Sequence, residues 1–336
     1  MRLASRFAVM LIVLLGSSML LPAAFHGPYP HPPGPVFDAQ MSRLYLHEIE
    51  QKRPRIVLLG DSMLTKGVDV DAFQKFIRVR TYKLDIPGAS SALWYLVLKS
   101  NIVPAQPAPR TVVILFRDTM LTAPSFRTSG PYLGMIDKFA APDDTLLLER
   151  AYLSQIGPMQ AALERYFPPY TYRAAIRDRL DAGLRHVLPA LQGCDPACAD
   201  AAMSDVLGDV EPARFARSVR QAEQVLYTPD ALDFAARVDA SFLPAVIELS
   251  KGSGIRLVFV RAPTNVFPDP ASEPEGLKTY FAALAAYLAQ QDIPLLDLSR
   301  VEGIGPGQFV DPHHMTLEGK AIFSRVLAEA LKSLIK

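Results

Sequence analysis

The 336-residue chain carries 35 Lys and Arg against 34 Asp and Glu, for a formal net charge of +1, and half of its residues are apolar. Basic residues are scattered and balanced by acids, which excludes a nucleic-acid binder as far as charge can read one. The length suits one large domain, or one domain with a large insertion, and the prolines gather in loops.

In chain order, the first element is an apolar run. Residues Phe7 to Leu21 are apolar or small and follow Arg2 and Arg6. A positive flank before an apolar core is the layout of an export signal. The run extends to Phe25, broken only by Gly16, Ser17, Ser18 and Pro22, close to the roughly 20 residues that span a bilayer. No clean Ala-x-Ala cleavage site follows. Residues 1–25 therefore read as an uncleaved signal anchor, N-terminus inside and the remainder extracytoplasmic, since no basic cluster follows the run. Cleavage would instead release the protein. Residues 26–36 are rich in proline and favour polyproline-like extension, a stiff spacer in which His26 and His31 read as linker rather than metal ligands.

Five apolar runs follow with the look of buried strands: Arg55–Leu59, Thr81–Ile86, Thr111–Phe116, Ile255–Val260 and Ile293–Leu298. They are rich in Val, Ile and Leu without strict alternation, the pattern of a parallel sheet covered on both faces. Helical stretches separate them, at about Val70 to Ile77, Ser91 to Lys99, Leu277 to Gln291 and Leu317 to Ile335. Thr316 is placed as the N-cap of the last, whose apolar stripe includes Leu317, Ala321, Leu327 and Leu331. Alternating strand and helix predicts a three-layer α/β/α fold with a five-stranded, mostly parallel sheet.

The sheet-forming residues are 37–120 and 252–336. Between them, residues 121–251 show no good strand signal. Leu146–Tyr166, Tyr172–Leu191 and Pro212–Leu226 read as helices, so this stretch is predicted to be a mostly helical insertion capping the sheet edge that binds ligands in open α/β folds. It contains Cys194 and Cys198, which in an exported protein suit a local disulfide.

Chemistry concentrates at the two ends of this framework. The first strand runs into Gly60-Asp61-Ser62. A serine at a strand-to-helix turn has an exposed hydroxyl but needs a base to become a nucleophile. Near the C-terminus, Asp311-Pro312-His313-His314-Met315-Thr316 holds a carboxylate and an imidazole in one loop before a helix. Ser62, His314 and Asp311 thus have the parts of a nucleophile, a base and the group that orients the base. Each residue alone is common; the coincidence at opposite ends of an α/β chain is not.

These residues resemble the SGNH/GDSL hydrolase superfamily. Its first block is matched by Gly60-Asp61-Ser62, and its last by Asp311, His314, Thr316 and Gly319. The resemblance implies a flavodoxin-like SGNH hydrolase fold, with His314 rather than His313 as base. It also implies that the backbone N–H of Gly88, in Asp85-Ile86-Pro87-Gly88-Ala89-Ser90, helps to hold an oxyanion. The third block departs: the Asn usual after the third strand is replaced by Leu115-Phe116-Arg117-Asp118-Thr119. Two readings of Arg117 stay open there, an oxyanion donor or a structural ion pair with Asp118. Thr119 and Asn265 are further polar groups near those strand ends.

Anchor, insertion and divergent third block together resemble the membrane-anchored SGNH-like proteins of cell-surface polysaccharide O-acylation, which act with a membrane-bound O-acyltransferase. The expectation is a serine esterase or O-acyltransferase acting on acyl esters and a glycan, without metal or organic cofactor. The alternative is a non-catalytic glycan-binding or scaffold subunit that keeps the SGNH frame.

Overall fold

The computed structural model describes residues 2–173, 176, 179–180, 183 and 223–335. The chain divides into two compact units, Met1–Val36 with Tyr152–Val219, and Phe37–Ala151 with Arg220–Lys336. The stretch 121–251 is thus shared between them, and residues 121–151 and 220–251 belong with the sheet.

In the first unit a helix spans Arg2–Ser18, with Val9, Ile12, Val13 and Leu15 exposed. Among the described residues no helix is long and apolar enough to cross a membrane. A second helix spans Pro158–Tyr166, and Tyr172 stacks on Phe25 with ring centroids 5.0 Å apart. Cys194 and Cys198 lie outside the described residues, as does most of the predicted Tyr172–Leu191 and Pro212–Leu226 helices.

The second unit is built on five parallel strands: β1 Ile56–Gly60, β2 Thr81–Asp85, β3 Thr111–Phe116, β4 Arg256–Arg261 and β5 Leu295–Asp297. Their order is β2-β1-β3-β4-β5. The three-layer α/β/α fold read from the sequence is the one observed. β5 is shorter than its apolar run, for a backbone reason. The Ile293 N–H closes the preceding helix onto the Leu288 carbonyl at 3.0 Å, and Pro294 has no N–H to give the ladder.

Successive strand residues point to opposite faces, and both faces are buried. On one, Ile56, Leu58, Val113, Leu115, Val258 and Val260 pack under α1 Ser62–Gly67, α2 Val70–Ile77 and α5 Leu317–Lys332, which contribute Leu64, Phe73, Phe323, Leu327 and Leu331. The other face carries Ile114, Phe116 and Phe259. It packs against Trp94 of α3 Ser91–Val97, Phe242, and Phe281 of α4 Glu275–Gln290.

α5 starts as its sequence predicts: the Thr316 hydroxyl accepts from the Gly319 N–H at 3.2 Å. Gly319 also lies against the chain that leads into the histidine loop. A Cβ there would sit 2.6 Å from the Gln308 carbonyl oxygen, which is backbone and cannot swing away. Gly319→Ala is therefore expected to destabilise the fold by about 1–3 kcal/mol through overpacking. Urea unfolding checks this: the midpoint should fall with the m-value unchanged, and an unmoved midpoint would show that the contact relaxes freely.

Candidate active site

Parallel strands deliver their following loops to one edge, and ligands in such sheets bind where the strand order reverses, here between β1 and β3. β1 enters that edge at Gly60. A Cβ on Gly60 would lie 2.9 Å from the Leu64 Cβ, so glycine lets α1 fold back tightly on its strand. Asp61, extended at φ −97°, caps α1 by accepting from the Met63 N–H at 2.9 Å. Ser62 is the first residue of α1 and is partly exposed.

The histidine arrives on a closed loop. Phe309 and Met315 form an antiparallel bridge, the Val310 N–H donates to the His314 carbonyl at 2.8 Å, and the Thr316 N–H to Gln308 at 2.9 Å. Asn265, in the loop after β4, donates its backbone N–H to the Pro312 carbonyl at 2.8 Å. Its contact with this region is through backbone.

Within the loop, one Asp311 oxygen accepts from the backbone N–H groups of His313 and His314 at 2.8 and 2.9 Å. The other lies 2.7 Å from His314 Nδ1. A carboxylate there makes Nδ1 the protonated nitrogen and leaves Nε2 as acceptor. His314 Nε2 is 2.9 Å from Ser62 Oγ. Partial burial would raise the Asp311 carboxyl, but its bonds from the His314 ring and the two N–H groups outweigh this and hold it below the ordinary carboxylate range. Ser62, His314 and Asp311 are therefore brought together in hydrogen-bond sequence.

Gly88 occupies the loop after β2. The Ala89 N–H donates to Ile86 at 2.9 Å and Gly88 has φ +83°, the pattern of a type II turn with Pro87 at its second position and glycine at the third. The Ile86 N–H donates to the Gly60 carbonyl at 3.0 Å, which ties this turn to the end of β1. Tyr132 and Met135 back the turn, 3.1 and 3.3 Å from where a Gly88 Cβ would stand.

Arg117 makes the ion pair with Asp118 that one of its two readings expects. It is 1% exposed, and its terminal nitrogens pair with Asp118, at 2.5 Å, and with Glu223. Asp118 adopts φ +47°, a conformation that disfavours non-glycine residues, and its carboxylate also accepts from the Tyr227 hydroxyl at 2.8 Å. Thr119 is buried too, its hydroxyl donating to the Leu226 carbonyl at 2.7 Å.

The structure adds residues that no motif marked. Arg127 donates to Asp61 at 3.1 Å and to Glu223 at 2.9 Å, and its guanidinium lies 5.6 Å from the Tyr132 ring centroid. Glu223 thus meets Arg117 and Arg127, with His313 Nε2 at 3.8 Å. Burial would raise the Glu223 carboxyl, but the two arginines hold it below its ordinary value. His313 is not part of the Ser62–His314–Asp311 sequence. Burial, with Arg117 nearby, lowers its ring to about 4, so it is neutral at physiological pH.

No family model and no curated protein matches the chain. Among solved structures it is similar to a protein assigned as an acylhydrolase from Bacteroides fragilis, at 14% identity and a TM-score of 0.40, covering 90% of this chain and 92% of that one. It is also similar to a GDSL-like lipase from Bacteroides thetaiotaomicron, at 13% and 0.37, covering 84% and 90%. A protein assigned as an arylesterase from Agrobacterium tumefaciens matches at 13% and 0.34, covering 83% and 98%.

The depressed His313 ring makes a stability prediction. Its folded value lies below the unfolded one, so the unfolded chain takes up the proton first. The contribution is complete above the unfolded value of about 6.5 and is lost as pH falls toward about 4. The loss should amount to ~2–3 kcal/mol across that window. Urea unfolding at several pH values should show a shallower acid slope in His313→Gln than in the parent; equal slopes would mean that His313 titrates normally.

Proposed function

We propose that the protein is a serine esterase or O-acyltransferase that cleaves acyl esters through Ser62, His314 and Asp311. The observation that carries the reading is the unbroken sequence of contacts, 2.9 Å from Ser62 Oγ to His314 Nε2 and 2.7 Å from His314 Nδ1 to Asp311. A serine hydroxyl on an acceptor nitrogen whose opposite nitrogen is held by a carboxylate is set up for proton removal as it attacks. A structural histidine would not require this order.

In this reading, Ser62 Oγ attacks the acyl carbon while its proton passes to His314 Nε2. Asp311 stabilises the imidazolium that results. The N–H groups of Ser62 and Gly88 belong to neighbouring loops joined by the Ile86–Gly60 bond, and donate to the oxyanion. His314 returns the proton to the departing alcohol, leaving an acyl-Ser62 ester. His314 then takes a proton from water or an acceptor hydroxyl as it attacks the acyl carbon, and returns that proton to Ser62 Oγ as the bond to the acyl group breaks. Water gives hydrolysis and a sugar hydroxyl gives transfer.

The finer parts of the proposal are an extracytoplasmic site held near the membrane by residues 1–25, a cell-surface glycan as acyl donor or acceptor, and a membrane-bound O-acyltransferase as partner. The apolar run behind Arg2 and Arg6 supports the location, as does the exposure of Val9, Ile12, Val13 and Leu15 on its helix. The SGNH-like pattern supports the chemistry.

The test is turnover of p-nitrophenyl acetate by the full chain, with and without a soluble oligosaccharide. Ser62→Ala and His314→Ala are each expected to lower kcat by about 10³-fold or more, and Asp311→Asn to lower it strongly with the fold intact. Acetylated oligosaccharide would identify a transferase. Equal rates in the parent and Ser62→Ala would overturn the nucleophile assignment.

A further inference from the structure

We infer that Glu223 is a positioning residue that holds the nucleophile turn, through Arg127 and Asp61, against the end of β3 and so sets Ser62 at its distance from His314. This rests on the proposed Ser62–His314 chemistry and goes beyond it. The two loops, the nucleophile turn and the histidine loop, lie together in the fold but 252 residues apart in the chain. Their mutual hydrogen bond is one contact between partly exposed groups. Glu223 is bonded to the first through Arg127 and stands beside the second, 3.8 Å from the neutral His313 ring.

One Glu223 oxygen accepts from Arg127 Nη2 at 2.9 Å, and Arg127 Nη1 donates onward to Asp61 at 3.1 Å. Asp61 in turn caps the helix on which Ser62 stands. The other oxygen pairs with Arg117 at the end of β3 and lies 3.8 Å from the ring of His313, the neighbour of His314. Glu223 therefore ties the end of β1 to the end of β3, beside the histidine loop.

Charge gives this bridge a second consequence. The Asp61 side chain is 2% exposed and adjoins the serine. A bare carboxylate there would oppose negative charge developing on the substrate. Arg127 offsets it, and Glu223 fixes where the Arg127 guanidinium lies. Asp61, Arg127, Glu223, Arg117 and Asp118 alternate in sign along a chain of contacts. Removing the middle carboxylate leaves two locally neutral pairs, Asp61 with Arg127 and Arg117 with Asp118. The fold can keep both pairs while losing the bridge between them.

The test combines kinetics and spectroscopy on the full chain and on Glu223→Gln and Glu223→Ala. It reads kcat and KM for a p-nitrophenyl ester, and the nitrogen-15 shift of His314 Nε2, with Ser62→Ala as the reference for a broken serine–histidine bond. Folded Glu223→Gln is expected to lose ~10–100-fold in kcat, the scale of a small misplacement of reacting groups, with KM within about threefold of the parent. Its Nε2 shift is expected to move toward that of Ser62→Ala. A kcat within about twofold of the parent, or an Nε2 shift that stays at the parent's value, would overturn the inference. Glutamine keeps the size and polarity of the side chain, so this variant decides if the alanine variant unfolds. If the parent shows no Ser62-dependent turnover, the proposed function fails by itself, and the Nε2 shift alone still decides the positioning role.

Discussion

The register of β1 between β2 and β3 is the constraint on which the rest of the structure depends. Gly60 lies opposite Asp85, and Leu59 opposite both Leu84 and Ile114. That alignment puts the turns carrying Ser62, Gly88 and Arg117 at one edge. Because β1 and β3 are parallel and buried on both faces, a slip of one residue would turn apolar side chains away from the helices that cover them. Core packing therefore protects the geometry of the candidate site as well as stability.

From that edge outward the interactions change character. The histidine loop is closed by backbone bonds at both ends, and Asp311 uses three hydrogen bonds inside it. The nucleophile turn is held by a helix cap and an ion pair. Local backbone order fixes each half, and the Ser62–His314 hydrogen bond joins them. Loss of Arg117 or Arg127 from the charges beside that turn is costly, because it leaves an uncompensated carboxylate in a poorly solvated place.

Much of this was legible in the sequence. The strand runs stood out because parallel strands buried on both faces need unbroken apolar residues, and Thr111–Phe116 and Val70–Ile77 have the bounds that the pattern indicated. Ser62, Asp311 and His314 were legible because each sits at a boundary of regular structure, where a polar residue stands out against its neighbours. Arg127 and Glu223 were not legible. Their ion-pair partners lie between 66 and 106 residues away, so no local period or spacing marks them. Arg117 could not be resolved either, since an oxyanion donor and a buried ion pair require the same residue type beside the same aspartate. The edge strand β5 came out short because a proline's missing N–H acts on pairing, which an apolar run does not reveal.

The central claim is that Ser62 is an activated nucleophile. Its most direct test is covalent: the full chain is treated with a fluorophosphonate, digested, and the adduct located by peptide mass. The account predicts a single adduct on Ser62, formed much more slowly in His314→Ala. A folded chain that takes up no phosphonate at Ser62, or takes it up equally fast without His314, would contradict the account.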